Sequence, residues 1–354
     1  MTLREVQQPL GAPWRQPLEG RLDQLVVESE ALAGNALGDP VRRPLYVYCS
    51  PGVACATATS VASVYVLQGL GGQLDLWLGR DPFEPTIVER IDALYGAAQP
   101  PCPQAVIVFV DAWTALGGAQ FLNSSATGDY SDYICDEVVP FVDAHYPTDA
   151  RGERRAVAGK SSGGYGAMVL PMLRPGVFGG LVTHAGDALF EVCYMPDFAK
   201  AARALRDHFG GSLERFWEDF GKRERFDWGR HAAVLNVYAM AAAYSPDADH
   251  PGKVLLPFDT TTGQLIDELW ERWLLRDPVR MAARHAAELG ALRHIHIEAG
   301  RSDEFMLDLG AAAFSAELER LGVAHSFELF DGGHSGISHR YAPAIRNLLT
   351  DLEG

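Results

Sequence analysis

Apolar positions along the first half of the chain fall into two rhythms. "LDQLVVESEAL" (22–32) and "RPLYVYCSPG" (43–52) alternate in period two, and "AGNALGDPVR" between them reads as a hairpin-like turn region. Continuously apolar runs follow in "ASVYVLQGL" (62–70), "QAVIVFVDA" (104–112), "RRAVAGKSS" (154–162) and "GLVTHAG" (180–186). Runs of that length predict strands buried on both faces. Between them the spacing turns helical in "PTIVERIDALYGA" (85–97), "SDYICDEVVPFVDAHYP" (131–147) and "GYGAMVLPMLRP" (164–175). Ser131 is the expected N-cap of the second helix, and Pro140 predicts a kink in it. Strands alternating with helices in this way predict a mostly parallel sheet covered on both faces.

The rhythm breaks after Asp187. Up to about Gly290 no run reads as a buried strand, and amphipathic helices are expected at 195–209, 212–224, 229–244 and 262–278. The sheet pattern then resumes with "LRHIHIEAG" (292–300), a helix over 304–322, "HSFELFDGGH" (325–334) and a last helix near 340–352. We therefore expect an α/β domain made of residues 1–187 and 290–354, interrupted by a helical insertion over 188–289. The insertion carries Phe190, Tyr194, Phe198, Phe216, Trp217, Phe226, Trp228, Trp270 and Trp273. Aromatics at helical spacing are expected to form its own core. An insertion above the carboxyl ends of the strands is also placed to roof a pocket.

Composition narrows the function. With 46 acidic against 30 basic side chains, the formal net charge is −16, which argues against a nucleic-acid partner. No apolar run is long enough to span a bilayer, and the first 20 residues lack the apolar stretch of a signal peptide, so a cytoplasmic location is expected. Five scattered cysteines form no CxxC pair and suggest neither a zinc site nor a disulfide framework. No ligand cluster calls for a metal or an organic cofactor.

The candidate chemistry lies in "AVAGKSSGGYGAM" (156–168), which follows a predicted strand and opens a predicted helix. In that context G-x-S-x-G marks a serine held on a sharp turn, where larger neighbours two residues away would clash. Ser161 satisfies the frame with Gly159 and Gly163, whereas Ser162 would be flanked by Lys160 and Gly164. Ser161 is thus the candidate nucleophile, and Ser162 contributes its backbone N–H to an oxyanion site. Lys160 precedes the serine and does not fit a Ser-x-x-Lys base; its side chain is expected to face solvent or the insertion. A serine nucleophile needs a base and an acid to orient that base. His334, among glycines after the last strand, is the candidate base, and His339 at the start of the final helix is its rival. His294 and His296 are expected on opposite faces of their strand, and His184 at the end of its strand could line the pocket. Asp303 is the candidate acid, although Asp is also a favoured N-cap residue. Asp187 is the alternative. The second oxyanion amide is expected from Leu70, where Gly69 lets the chain pass close to the serine.

At these stretches the chain resembles the esterase family of α/β hydrolases that includes esterase D, enterochelin esterase, feruloyl esterase and antigen 85 relatives. "YVLQGLGG", "AVAGKSSGGYGAM", "EAGRSDEF" and "FDGGH" carry the likeness. So does the long "VFVDAWTALGGAQFLNSSATGDYSDYICDEVVPFVDAHYP", with Asn123, Ser124, Gly128, Tyr130, Asp132, Tyr133 and then Asp143 to Pro147 in family positions. The likeness covers about 40–187 and 290–350. It implies an α/β-hydrolase fold, a Ser161–Asp303–His334 triad and an oxyanion hole formed by the Leu70 and Ser162 amides. It also implies hydrolysis of carboxylic esters through an acyl-enzyme. Gly69, Gln68 and Trp113 are the expected substrate-binding residues, with Gln68 standing where many relatives have histidine. A small-molecule ester is the expected partner, and a homo-oligomer is compatible with the family. The alternatives are an acyltransferase using the same triad, a peptidase or thioesterase, and a non-catalytic binding protein on a hydrolase scaffold.

Overall fold

The computed structural model describes residues 4–5, 16–79, 81–96, 101–250 and 252–354. Much of the N-terminal stretch read for a signal peptide, and residue 97 at the end of the first expected helix, lie outside these. Among the described residues the main sheet has nine strands in the order β1-β2-β3-β5-β4-β8-β9-β10-β11. They are β1 (Arg4–Glu5), β2 (Arg21–Glu28), β3 (Arg42–Cys49), β4 (Ala62–Leu67), β5 (Ala105–Val110), β8 (Arg155–Lys160), β9 (Gly180–His184), β10 (His294–Gly300) and β11 (Ser326–Phe330). A separate two-stranded ribbon is formed by β6 (Asn123–Ser124) and β7 (Gly128–Asp129). From β5 to β11 every pairing is parallel, while β1, β2 and β3 pair antiparallel. This is the mostly parallel sheet that the apolar runs predicted.

Both faces of the sheet are covered. Val157 of β8 belongs to one apolar layer, which continues through Tyr65, Leu67 and the helix Ser162–Leu173. Its neighbours Ala156 and Ala158 belong to the other, with Val66, Phe109, Val182 and the helix Tyr341–Glu353. Strand alternation sorts one β8 segment into two cores, which explains why its apolar run is unbroken.

Several boundaries shift for identifiable reasons. The helix expected to start at a Ser131 cap begins at Tyr130, and Asn123 Oδ1 accepts the Ser131 and Asp132 amides at 3.0 and 3.2 Å. A side chain distant in sequence thus does the capping. Ahead of Pro140 the helix widens into a π turn over Tyr133–Val138 and then continues as Val139–His145. The wide turn absorbs the carbonyl clash and missing donor that proline brings, so the helix bulges instead of breaking. The expected helix over 262–278 shortens to Asp267–Leu274 and is followed by Pro278–Arg284, with Asp277 capping the latter through Val279.

His294 and His296 do not point to opposite faces. Residues two apart on a strand share a face, and their rings lie 6.4 Å apart on the same side. His294 pairs with Asp351, and His296 with Ser326 and Glu298.

Between β9 and β10 the described residues form helices, including Met195–Phe209, Leu213–Lys222, Ala233–Tyr244 and Asp267–Leu274. Their aromatic side chains mostly face one another. Phe198 meets Phe258, Trp270 and Trp273, and Tyr194 meets Phe190, Tyr244 and Trp273. Trp228 is exposed. Tyr165, on the helix after Ser161, docks this layer: its ring packs on Phe190 and Tyr244 and its hydroxyl donates to the Arg276 carbonyl at 3.0 Å. No helix among the described residues is long and apolar enough to cross a membrane.

Candidate active site

Ser161 sits at the junction of β8 and the helix Ser162–Leu173, with φ 58° and ψ −126°. A non-glycine residue there is strained, and such strain persists only where the surroundings enforce it. The enforcement comes from the backbone. The Ser161 N–H donates to the carbonyls of His184 and Ala185, and its own carbonyl accepts from Tyr165 N at 2.8 Å. The two flanking glycines are sterically required. A Cβ on Gly159 would lie 2.2 Å from the Gly163 carbonyl oxygen, and one on Gly163 would lie 2.3 Å from that of Leu67.

Six of the seven described non-glycine residues with left-handed φ fall at or near this point: Gln120, Phe121, Ser161, Ala185, Leu189 and Met306. They belong to four segments that converge on Ser161 or carry the candidate acids.

Asp303 and His334 are brought together, with His334 Nδ1 2.8 Å from Asp303 Oδ2. The other oxygen, Oδ1, accepts the amides of Phe305 and Leu307, at the entry of the helix Leu307–Leu321. Asp303 is not the N-cap of this helix, a place taken by Met306, yet one of its oxygens anchors the turn into the helix while the other holds the histidine. Burial alone would raise the Asp303 carboxyl, but the His334 hydrogen bond and the two amides outweigh it and hold it below its ordinary value. The next residue, Glu304, accepts the backbone N–H of His334 at 2.7 Å. That hydrogen bond draws the Glu304 carboxyl down as well. Ser161 Oγ and His334 Nε2 are not hydrogen-bonded to one another. His339 stays exposed, bonded to the Gly336 carbonyl.

The loop after β4 passes beside the serine. A Cβ on Gly69 would meet Ser161 Cβ and the Lys160 carbonyl at 3.3 Å. The backbone N–H groups of Leu70 and Ser162 have no acceptor among the described residues, the latter because it opens a helix. Gln68, expected at the pocket wall, is buried instead, and its amide donates to the Gly72 carbonyl and closes this loop. Trp113 is half-buried and lines a cavity of about 290 Å³ with Arg42, Tyr46, Gln73 and Asp75, beyond the loop. Its carbonyl accepts from Arg43.

His184 does not line a pocket. It is wholly buried on the face shared with Tyr341, and its Nδ1 lies 2.6 Å from Glu298 Oε1. Lys160, in register with His184, is half-buried. Burial lowers its ammonium from the ordinary lysine value, opposed by the carboxylates of Asp303, Glu304 and Asp187. Asp187 does not pair with His334; Tyr194 Oη and Gln120 Nε2 donate to its Oδ2 at 2.8 and 3.1 Å. Both Gln120 and Glu304 lie in stretches that carry the family likeness, but sequence reasoning gave neither a role, because their partners are set by the fold. The left-handed φ of Gln120 is visible only in the folded chain.

The strained serine, the buried Asp–His pair and two amides without acceptors are the kinds of group that activation of a hydroxyl calls for. A family model described as "Putative esterase" matches residues 104–342, well over half of the chain. No match is found among curated protein sequences. Among solved structures, a ferulic acid esterase superposes with TM-score 0.60 at 15% identity, over 95% of this chain and all (100%) of its own. An S-formylglutathione hydrolase from Agrobacterium tumefaciens gives 0.56 at 15%, over 96% of each chain. The corresponding hydrolase from Staphylococcus aureus gives 0.54 at 16%, over 95% of this chain and 99% of that one. These likenesses establish the α/β-hydrolase fold. The chain belongs to the esterase family, and it is a carboxylic ester hydrolase of that fold.

Proposed function

We propose that the protein hydrolyses its ester in two steps, with Ser161 as nucleophile, His334 as general base and acid, and Asp303 orienting the imidazole. His334 Nε2 takes the Ser161 proton as Oγ attacks the carbonyl carbon, and the resulting oxyanion is received by the Leu70 and Ser162 amides. As the C–O bond to the alcohol breaks, His334 returns the proton to the departing oxygen. A water then attacks the acyl-enzyme through the same proton transfers and releases the acid. The absent Ser161–His334 hydrogen bond is consistent with unliganded sites, where such contacts tighten once substrate is bound. The observation that carries the reading is the strained Ser161 elbow after β8, with a buried Asp–His pair on the loops after β10 and β11.

The helices between β9 and β10 act in this reading as a cap, docked through Tyr165. Phe305 packs edge-on to the His334 ring at 4.9 Å while remaining largely exposed, as do Met306, Leu309 and, on the oxyanion side, Leu70. These side chains favour an apolar portion of the ester beside the reacting carbonyl. Labelling with a fluorophosphonate probe followed by peptide mapping tests the assignment. Modification at Ser161, absent in Ser161→Ala, is expected; modification elsewhere, or none, rejects it.

A further inference from the structure

Asp187 is a buried carboxylate that the mechanism above does not use. Its backbone N–H reaches the Ser161 carbonyl at 3.4 Å, so it lies directly against the elbow. It is 7% exposed, and the charges of His334 and Asp303 both act on it. The two donors that hold it, Tyr194 Oη and Gln120 Nε2, both go to Oδ2. Oδ1 accepts nothing from the described residues, yet it is not among the sealed polar atoms, so it keeps access to solvent.

A structural role does not require this arrangement. The single oxygen of an asparagine would accept both donors without the cost of burying a charge. The second oxygen is left over. The supports on either side are themselves costly. Gln120 has φ 52°, Ala185 φ 45° and Leu189 φ 56°, so the segments presenting Asp187 and its donor are held in strained conformations. Burial raises the carboxyl from its ordinary value, which the donors on Oδ2 only partly oppose. A donor arriving at Oδ1 would relieve that cost.

Resting on the esterase reading, we propose that Asp187 is a substrate-recognition residue whose free oxygen receives a hydrogen-bond donor, a hydroxyl or a protonated amine, carried by the ester bound at Ser161. Such a substrate combines an apolar portion toward Phe305 and Leu70 with a polar donor toward the cap.

The test is a panel of matched esters, unsubstituted, hydroxyl-bearing and amine-bearing, with the donor at successive carbons on either side of the ester. At least one donor-bearing ester should exceed its unsubstituted match in kcat/KM by about tenfold or more, the scale of a hydrogen bond to a charged group. Whether the hydroxyl or the amine series shows the gain identifies the donor. Asp187→Asn keeps an oxygen for Tyr194 and Gln120 but presents an NH2 outward, and it should bring that ratio close to one; Asp187→Ala should do the same. No donor preference in the parent protein, or an equal loss on both members of each pair, overturns the proposal. Fluorophosphonate labelling of Ser161 reads the esterase assignment separately. Should no ester be turned over, calorimetric binding of the same pairs to Ser161→Ala, with and without Asp187→Asn, gives the ratio without chemistry.

Discussion

Glu304 Oε2 accepts the backbone N–H of His334 at 2.7 Å, while the adjacent Asp303 holds the ring of the same histidine. Two consecutive carboxylates after β10 thus fix both the loop and the imidazole after β11. A Cβ on Gly333 would lie 2.9 Å from Glu304 Oε1, so the glycine before the histidine is what lets this clamp close. Glu304 is a positioning residue in this arrangement. Glu304→Ala should lower kcat roughly tenfold with KM little changed, and Glu304→Gln, which retains an acceptor oxygen, should recover most of the loss. Steady-state kinetics on one ester separates this from general destabilisation, which Gln would not rescue selectively.

Asp303→Asn separates the two duties of that residue. The amide oxygen can still accept the Phe305 and Leu307 N–H groups, so the melting temperature should move little. The imidazole loses its orienting carboxylate, and kcat should fall by about 10⁴. A large fall in melting temperature with kcat preserved in the folded fraction would reduce Asp303 to an anchor of the turn into the helix.

The glycines of the elbow are predicted to differ in kind. Gly163→Ala drives a Cβ to 2.3 Å from the Leu67 carbonyl and 2.7 Å from that of Gln68, both backbone atoms. It should destabilise the fold by about 1–3 kcal/mol or more, as overpacking does. Gly69→Ala meets nothing closer than 3.3 Å, at the Lys160 carbonyl and Ser161 Cβ. It should fold and yet react more slowly with a fluorophosphonate. Thermal denaturation paired with labelling rates distinguishes the two variants.

Acidification should weaken the fold in two stages. Burial lowers the His184 imidazole from 6.5, and its Nε2 is a buried atom with no acceptor, so the folded protein resists a proton that the unfolded chain takes up. Stability should therefore begin to fall as pH drops below about 6.5. Glu298 behaves as a depressed carboxylate. Burial would raise it, but hydrogen bonds from His184, His296 and Arg340 hold it well below the ordinary glutamate value of 4.5. Its contribution is present above that value and is lost as pH falls through and beneath it. Melting temperatures measured from about pH 8 down to about pH 2 check the order, and Glu298→Gln should remove the second stage. The consequence reaches the nucleophile, because the Glu298 carbonyl accepts Ala185 N and the His184 and Ala185 carbonyls hold Ser161 N.

Much of this architecture was legible along the chain. Strand burial depends on local alternation, so the runs at 62–70, 104–112, 154–162 and 180–186 each landed on a strand, shortened at the ends. The glycine frame around residue 161 was legible for the same reason: Gly159 and Gly163 answer to contacts within one turn and the strand beside it. The antiparallel pairing of β2 and β3 agrees with the hairpin-like turn region read between them, although the connection is long, over residues 29–41. Pro140 announced an irregularity, although whether a helix kinks or bulges depends on what packs against it.

Other features had no local signature. Asn123 caps a helix seven residues downstream, Gln120 reaches Asp187 and Tyr194, and Gln68 turns inward to Gly72. His184 went from a candidate pocket residue to a buried partner of Glu298 because β9 and β10 lie side by side in register. Periodicity, turn chemistry and residue type are short-range properties, and by themselves they determined the strand–helix order and the glycine frame around residue 161. Which carboxylate meets His334, which oxygen of Asp187 is left free, and which side of the sheet each histidine joins are relations between segments over 100 residues apart or on separate strands. Only the closing of the sheet decided them, because register and crossover bring such groups together and no local pattern records that meeting.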